Sequence, residues 1–149
     1  MRAVSVPWAA EPHTKTKHDL YRRYLSKWMP IMINGRWNGD VTYAEGFAGP
    51  GIYLDDSPGS PVIAFNAIRE DPSLRSNRRK HVRMLFVDAD RRCTDRLWSE
   101  LTRASAPVAL DALPQFGIEI DVQHGTCEPR LGAWVSSRCP MPVAARGGG

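Results

Sequence analysis

Alternating strand-like and helix-like segments predict an α/β protein, a partial Rossmann-like sheet of about three parallel strands joined by crossover helices. Three observations carry that expectation. Val41 to Gly51 reads V-T-Y-A-E-G-F-A-G-P-G, a short β-branched and aromatic run that turns at an acid into a loop holding Gly46, Gly49 and Gly51. Val82 to Val87, V-R-M-L-F-V, is apolar nearly throughout, as a parallel strand covered on both faces would be, and ends at Asp88. Gly117 to Val122, G-I-E-I-D-V, alternates as a third strand. With helical patterns between them, the order is strand, glycine loop, helix, strand, acid, helix, strand, the first half of a doubly wound nucleotide-binding sheet.

Each element has its own signal. Met1 to His13 reads as an irregular lead-in whose Trp8 and Pro12 suit docking on a surface. Thr14 to Trp28 predicts a helix capped by Thr14, with Leu20, Tyr24, Leu25 and Trp28 along one inward stripe. Pro30 disfavours helical geometry at Met29 and is expected to end the helix there. Asn34 to Asp40, with two Asn-Gly pairs flanking Arg36 and Trp37, is a loop. After the Val41 to Ala44 strand, Ile52 to Pro61 is an insertion rich in turn formers. The next helix then starts near Ser60 with Pro61 in its first turn. Asp71 to Lys80 is a basic connection, and Arg91 to Ala104 is a second crossover helix with Leu97, Trp98 and Leu101 inward.

Composition bounds the function classes. The 149 residues are enough for one domain, and 42% hydrophobic with 24% charged residues permits a packed core. No apolar run reaches the roughly 18 residues of a membrane span, and the N-terminus lacks a secretory apolar core, so a cytoplasmic protein is expected. Cys93, Cys127 and Cys139 form no C-x-x-C pair and read as free thiols. No histidine has ligand spacing with a cysteine or carboxylate, so no metal site is expected.

The net charge of +4 is uneven. Arg2, Lys15, Lys17, Arg22, Arg23, Lys27 and Arg36 face only Glu11 and Asp19 in the first 36 residues, and Arg75, Arg78, Arg79, Lys80 and Arg83 form a second cluster. Such segments can contact nucleic acid. The second cluster has no interleaved aromatics, which favours solvated loop and helix faces.

The glycine loop carries the chemistry. Glycines let backbone N–H groups approach a ligand where a Cβ would collide. An acid ending the second strand can accept both hydrogen bonds of a ribose diol; Asp88 is placed for this, with Asp90 as the alternative, and Asp88 could equally cap the helix starting near Arg91. Gly51 and Asp88 lie farther apart than the about 20 residues of the dinucleotide fingerprint, and the Ile52 to Pro61 insertion accommodates the excess. The loop itself is not G-x-G-x-x-G. It reads E-x-F-x-G-x-G across Glu45, Phe47, Gly49 and Gly51.

That pattern resembles the cofactor loop of S-adenosylmethionine-dependent methyltransferases, particularly those acting on nucleic acid. The resemblance places Glu45 near the methionine moiety, Phe47 beside the adenosine and Gly49 and Gly51 close to the cofactor, with Gly46, Ala48 and Pro50 completing the loop. It also adds the Lys17-bearing helix to the same pocket. A longer match covers P-H-T-K-T-K-H-D-L-Y-R-R-Y-L-S-K-W-M-P-I-M (Pro12 to Met32), Y-A-E-G-F-A-G-P-G-I-Y (Tyr43 to Tyr53), P-G-S-P (Pro58 to Pro61) and L-F-V-D-A-D (Leu85 to Asp90). It resembles the three-Cys-motif partner protein (TcmP) family, and implies a bacterial, methyltransferase-like protein encoded beside a partner that carries the three-cysteine motif.

Beyond the third strand the pattern departs. From about Cys127 the chain has no buried strand pattern and no Asp-Pro, Asn-Pro-Pro-Tyr or Pro-Cys motif to position a methyl acceptor. The expected organisation is a lead-in over 1–13, a methyltransferase-like half-domain over 14–126, and a degraded, frameshifted or flexible tail over 127–149. With no fourth strand, Val41 to Ala44 would be an edge, and marginal stability or dependence on a partner is expected. Two function classes stay open: a methyltransferase-like fragment that binds cofactor without completing catalysis, and a non-catalytic protein that binds a partner or nucleic acid on the same scaffold.

Overall fold

The computed structural model describes residues 5–35, 40–76 and 80–128. It is α/β: a three-stranded, all-parallel, Rossmann-like sheet in the order β1-β2-β3, interleaved with helices. The strands are β1 (Val41–Glu45), β2 (Val82–Asp88) and β3 (Ile118–His124), and the helices are α1 (Pro12–Ile33), α2 (Ser60–Glu70), α3 (Pro72–Ser76) and α4 (Arg91–Ser105). A 3-10 segment, Leu110–Phe116, leads into β3. Of the expected tail over 127–149 only Cys127 and Glu128 are described; residues 129–149 with Cys139, and the basic residues Arg2, Arg36, Arg78 and Arg79, lie outside the described residues.

Register follows the alternation of each strand. Val41 pairs with Val82 and Val82 with Ile118, so Val41, Tyr43, Val82, Met84, Phe86, Ile118, Ile120 and Val122 share one face. Met84 and Phe86 have no exposed surface there. They join one core with Leu25, Met29 and Ile33 of α1, Phe65 and Ile68 of α2, and Leu97 and Leu101 of α4. Leu85 and Val87 project to the opposite face as a separate buried pair. Among the described strands β1 pairs on one side only, and Thr42 and Ala44 are exposed.

The first helix differs from expectation in three ways. It begins at Pro12 rather than Thr14, with Glu11 at the N-cap and no side-chain capping bond. It also runs through Pro30 to Ile33. The proline removes the N–H that would meet the Ser26 carbonyl, but Met29 and Ile33, one turn apart, are both fully buried, and that burial outweighs the lost bond. Asn34 closes the end, its N–H donating to the Pro30 carbonyl at 3.0 Å and its side-chain amide donating to Ser73 Oγ at 2.9 Å. Restoring the missing donor by Pro30→Ala is expected to stabilise the protein by about 1–2 kcal/mol in urea denaturation.

The third difference is the buried face. Tyr21, Leu25, Met29 and Ile33 face the core, while Leu20 and Tyr24 are 70% and 56% exposed. Trp28 stacks on Tyr24 at 6.0 Å instead of packing inward. Two apolar stripes lie side by side on this helix, and only the position of the sheet selects between them. The same correction applies to Trp98, 48% exposed on α4 beside the buried Leu97 and Leu101. α2 begins at Ser60 with Pro61 in its first turn, as the sequence predicts. The short α3 falls in the stretch expected to be a connection, and the 3-10 segment lies between the α4 and β3 patterns, where no element is expected.

Candidate functional site at the end of the first strand

Tyr43 and Glu45 are two residues apart on β1 and so project to the same face. The Tyr43 hydroxyl donates to Glu45 Oε1 at 2.5 Å, and the Ser60 hydroxyl, at the start of α2, donates to Oε2 at 2.8 Å. Burial raises the Glu45 carboxyl to about 7, against the opposing effect of the Ser60 hydrogen bond. Tyr21 of α1 and Tyr53 of the insertion close round it. Both phenols are pushed up, first by burial and then by the Glu45 charge. No lysine or arginine pairs with Glu45 among the described residues.

The insertion brings α1 to this place. Lys15 forms an ion pair with Asp55 at 2.5 Å, the His18 ring lies 5.6 Å from Tyr53, and the Leu54 N–H donates to the Trp8 carbonyl at 3.0 Å. Trp8 thereby docks beside Gly49, as a surface-seeking tryptophan in the lead-in would. Ile52 and Pro58 form an antiparallel bridge that closes the insertion into a compact turn.

The loop after β1 is held from β2. The Ala48 N–H donates to the Val87 carbonyl at 3.0 Å, and the Gly49 N–H donates to Asp88 Oδ2 at 2.9 Å. Asp88 Oδ1 accepts from the Asp90 N–H at 2.8 Å. The α4 N-cap is Asp90, which accepts from the Arg92 N–H at 2.9 Å, so Asp88 does not cap that helix. Asp88 instead ties the glycine loop to the second strand. Each of its oxygens takes one backbone donor and the Cys93 thiol also hydrogen-bonds to the carboxylate, so of the about four positions a carboxylate offers about one stays open for a ribose hydroxyl.

The glycines do different work. Gly49 has φ +71° and its absent Cβ would make only ordinary contact with Trp8 at 3.6 Å. Gly51, at φ +77°, faces the core, where a Cβ would stand 2.7 Å from Leu97 Cδ1 and 3.3 Å from Val62 Cγ2. Gly51 thus serves close packing of the loop on α2 and α4. At Gly46 the Cys127 thiol occupies the side-chain direction. Phe47 stands at the loop tip 89% exposed, and Pro50 and Ala48 are buried.

Lys17 lies on the exposed side of α1, in an open groove of ≈ 730 Å³ that it shares with Leu20, Tyr21 and Tyr24. Tyr21 is the link between that groove and Glu45. The residues that sequence reasoning missed here are Tyr21, Tyr43, Tyr53 and Ser60. Only Tyr43 had a local signal, its i, i+2 relation to Glu45 on a strand. No cluster of three metal-ligating side chains occurs among the described residues, and no helix there is long and apolar enough to cross a membrane.

Fold and site together define a Rossmann-like α/β half-sheet with an acid-ended first strand and a glycine loop anchored on the acid that ends the second. A scan against protein-family models, a search of curated proteins and a search of solved structures each returned no match for the chain.

Proposed function

We propose that the chain is a TcmP-like, S-adenosylmethionine-dependent methyltransferase-like protein that binds its cofactor at the β1 loop without a complete catalytic apparatus. The observation that carries this reading is the Gly49 to Asp88 hydrogen bond, which organises the loop on the carboxylate assigned to the ribose. Two further features support it. Phe47 offers an aromatic face that the protein leaves exposed, and Glu45 is a part-buried acid whose described partners are all neutral hydroxyls, where a cationic methionine moiety would gain most. Gly46 belongs to the proposed loop, the buried Ala48, Pro50 and Gly51 support its shape from beneath, Lys17 borders the neighbouring groove, and no residue is assigned to methyl transfer.

Calorimetry with S-adenosylmethionine is expected to show binding to the intact chain. Asp88→Ala should weaken it at least about tenfold, because the loop loses its anchor and the ribose hydroxyl its acceptor. Absence of heat with the intact, folded chain would rule the reading out.

A second reading, a non-catalytic protein that binds nucleic acid or a three-Cys-motif partner, is favoured by a cleft remote from the loop. It is bounded by Arg69, Arg75, Lys80 and His81.

A further inference from the structure

The parallel strands put all their N-terminal ends on one edge of the sheet, opposite the glycine loop. At that edge, between the residues entering β2 and β3, lies a cleft of ≈ 810 Å³. Its base is apolar: Leu74 of α3, Val108, Leu113 of the 3-10 segment and Ile118 of β3. Arg69, Arg75, Lys80 and His81 surround it, and no carboxylate is among the described lining residues. Two nearby acids have partners of their own. Asp40 accepts from the His81 N–H and pairs with Arg83 at 3.0 Å, and Asp71 accepts from the Ser73 N–H at 2.8 Å.

Two side chains give the cleft its selectivity. The Arg69 guanidinium donates to the Ala104 carbonyl, which fixes its position between α2 and α4 and leaves most of its five donors for another acceptor. Phe116, at the end of the 3-10 segment, stands 58% exposed at the mouth. The basic cluster has no aromatic partner along the sequence; the fold supplies one from a different element. Cations with an exposed aromatic side chain over an apolar base is the combination that binds a phosphate and stacks a base. A bare phosphate would fill a small part of a cleft this size, which falls within the roughly 300–1,000 Å³ of small-molecule sites.

We infer that the cleft between Arg69, Arg75, Lys80, His81 and Phe116 binds a nucleoside phosphate, free or at the end of a nucleic acid strand. Phe116 stacks on the base, the Arg69 and Arg75 guanidiniums hold the phosphate, and Lys80 and His81 line the same cleft. The inference gives a location to the nucleic-acid reading and is independent of the cofactor reading, since the two sites lie at opposite ends of the strands.

The test is calorimetry on the full chain with AMP, adenosine, inorganic phosphate, and a tetranucleotide with or without a 5′-phosphate. AMP is expected to bind about tenfold or more tighter than either adenosine or inorganic phosphate, because each lacks one of the two recognised parts. Arg75→Ala and Phe116→Ala, both at exposed positions, should each weaken AMP about five- to tenfold with unchanged circular dichroism. A preference for the 5′-phosphorylated strand over AMP would assign the ligand to a strand end; the reverse would assign it to a free nucleotide. Inorganic phosphate binding as tightly as AMP would overturn the inference in favour of a simple anion site. So would AMP binding that both variants leave intact and Gly49→Val abolishes, which would move the nucleotide to the glycine loop. Tetranucleotide binding indifferent to its 5′-phosphate and to Phe116→Ala would overturn it too while leaving the broader nucleic-acid reading standing.

Discussion

Replacing Glu45 by Gln is expected to remove a loss of stability that the wild-type protein undergoes as the pH rises from about 4.5 to about 7. The direction follows from proton counts. In that interval the unfolded chain has already released the Glu45 proton and the folded chain still holds it, so each step up in pH favours unfolding. Above about 7 both states are ionised and the penalty is constant. At about 1.4 kcal/mol per tenfold change in proton affinity, the rise from the ordinary 4.5 to about 7 amounts to the order of 3 kcal/mol. Glutamine keeps an acceptor for the Tyr43 hydroxyl and a donor for the Ser60 oxygen without the charge. Urea denaturation of both proteins at pH 5 and pH 8 should show the variant gaining on the wild type by about that amount. A difference between the two that stays flat with pH would mean that Glu45 titrates as an ordinary surface acid.

Gly51→Ala is expected to cost about 2–5 kcal/mol, a large part of the stability of a domain this size. Left-handed backbone geometry penalises any Cβ by about 1–2 kcal/mol, and here the added atom would also stand 2.7 Å from Leu97, whose side chain has no exposed surface into which to retreat. Gly49→Ala is the control. It shares the backbone penalty, at φ +71°, but meets only Trp8 at an ordinary 3.6 Å, so its cost should stay near about 1–2 kcal/mol. Parallel denaturation of the two variants checks the contrast. Equal costs would show that the loop and α4 do not approach as closely as Gly51 implies.

These expectations divide by where their information resides. The three strands, α2 with its starting proline, and α4 were legible because their patterns are local: β-branched or continuous apolar runs, turn residues at the ends, and helical periodicity. The glycine loop and Asp88 were legible as candidates for the same reason. That Asp88 holds Gly49 while Asp90 caps α4 was not, because two acids two residues apart offer the same cap by sequence and only the path of the loop between strands distinguishes them.

Burial was the harder part to read. Tyr24 and Trp28 carry the same periodic signal as Leu25 and Met29, and a helix with two apolar stripes buries whichever one the sheet meets. Pro30 is a strong local stop, yet its cost is smaller than the gain from seating Met29 and Ile33 in the core. The sequence by itself determined the class of fold, the order of its elements and the acid–glycine character of the loop, since each depends on residues close along the chain. Only the tertiary structure decided the tyrosine and serine surroundings of Glu45, the packing role of Gly51 and the pairing of Phe116 with the basic cluster. These join residues from separate elements, and their proximity is set by how the helices pack on the sheet rather than by any local pattern.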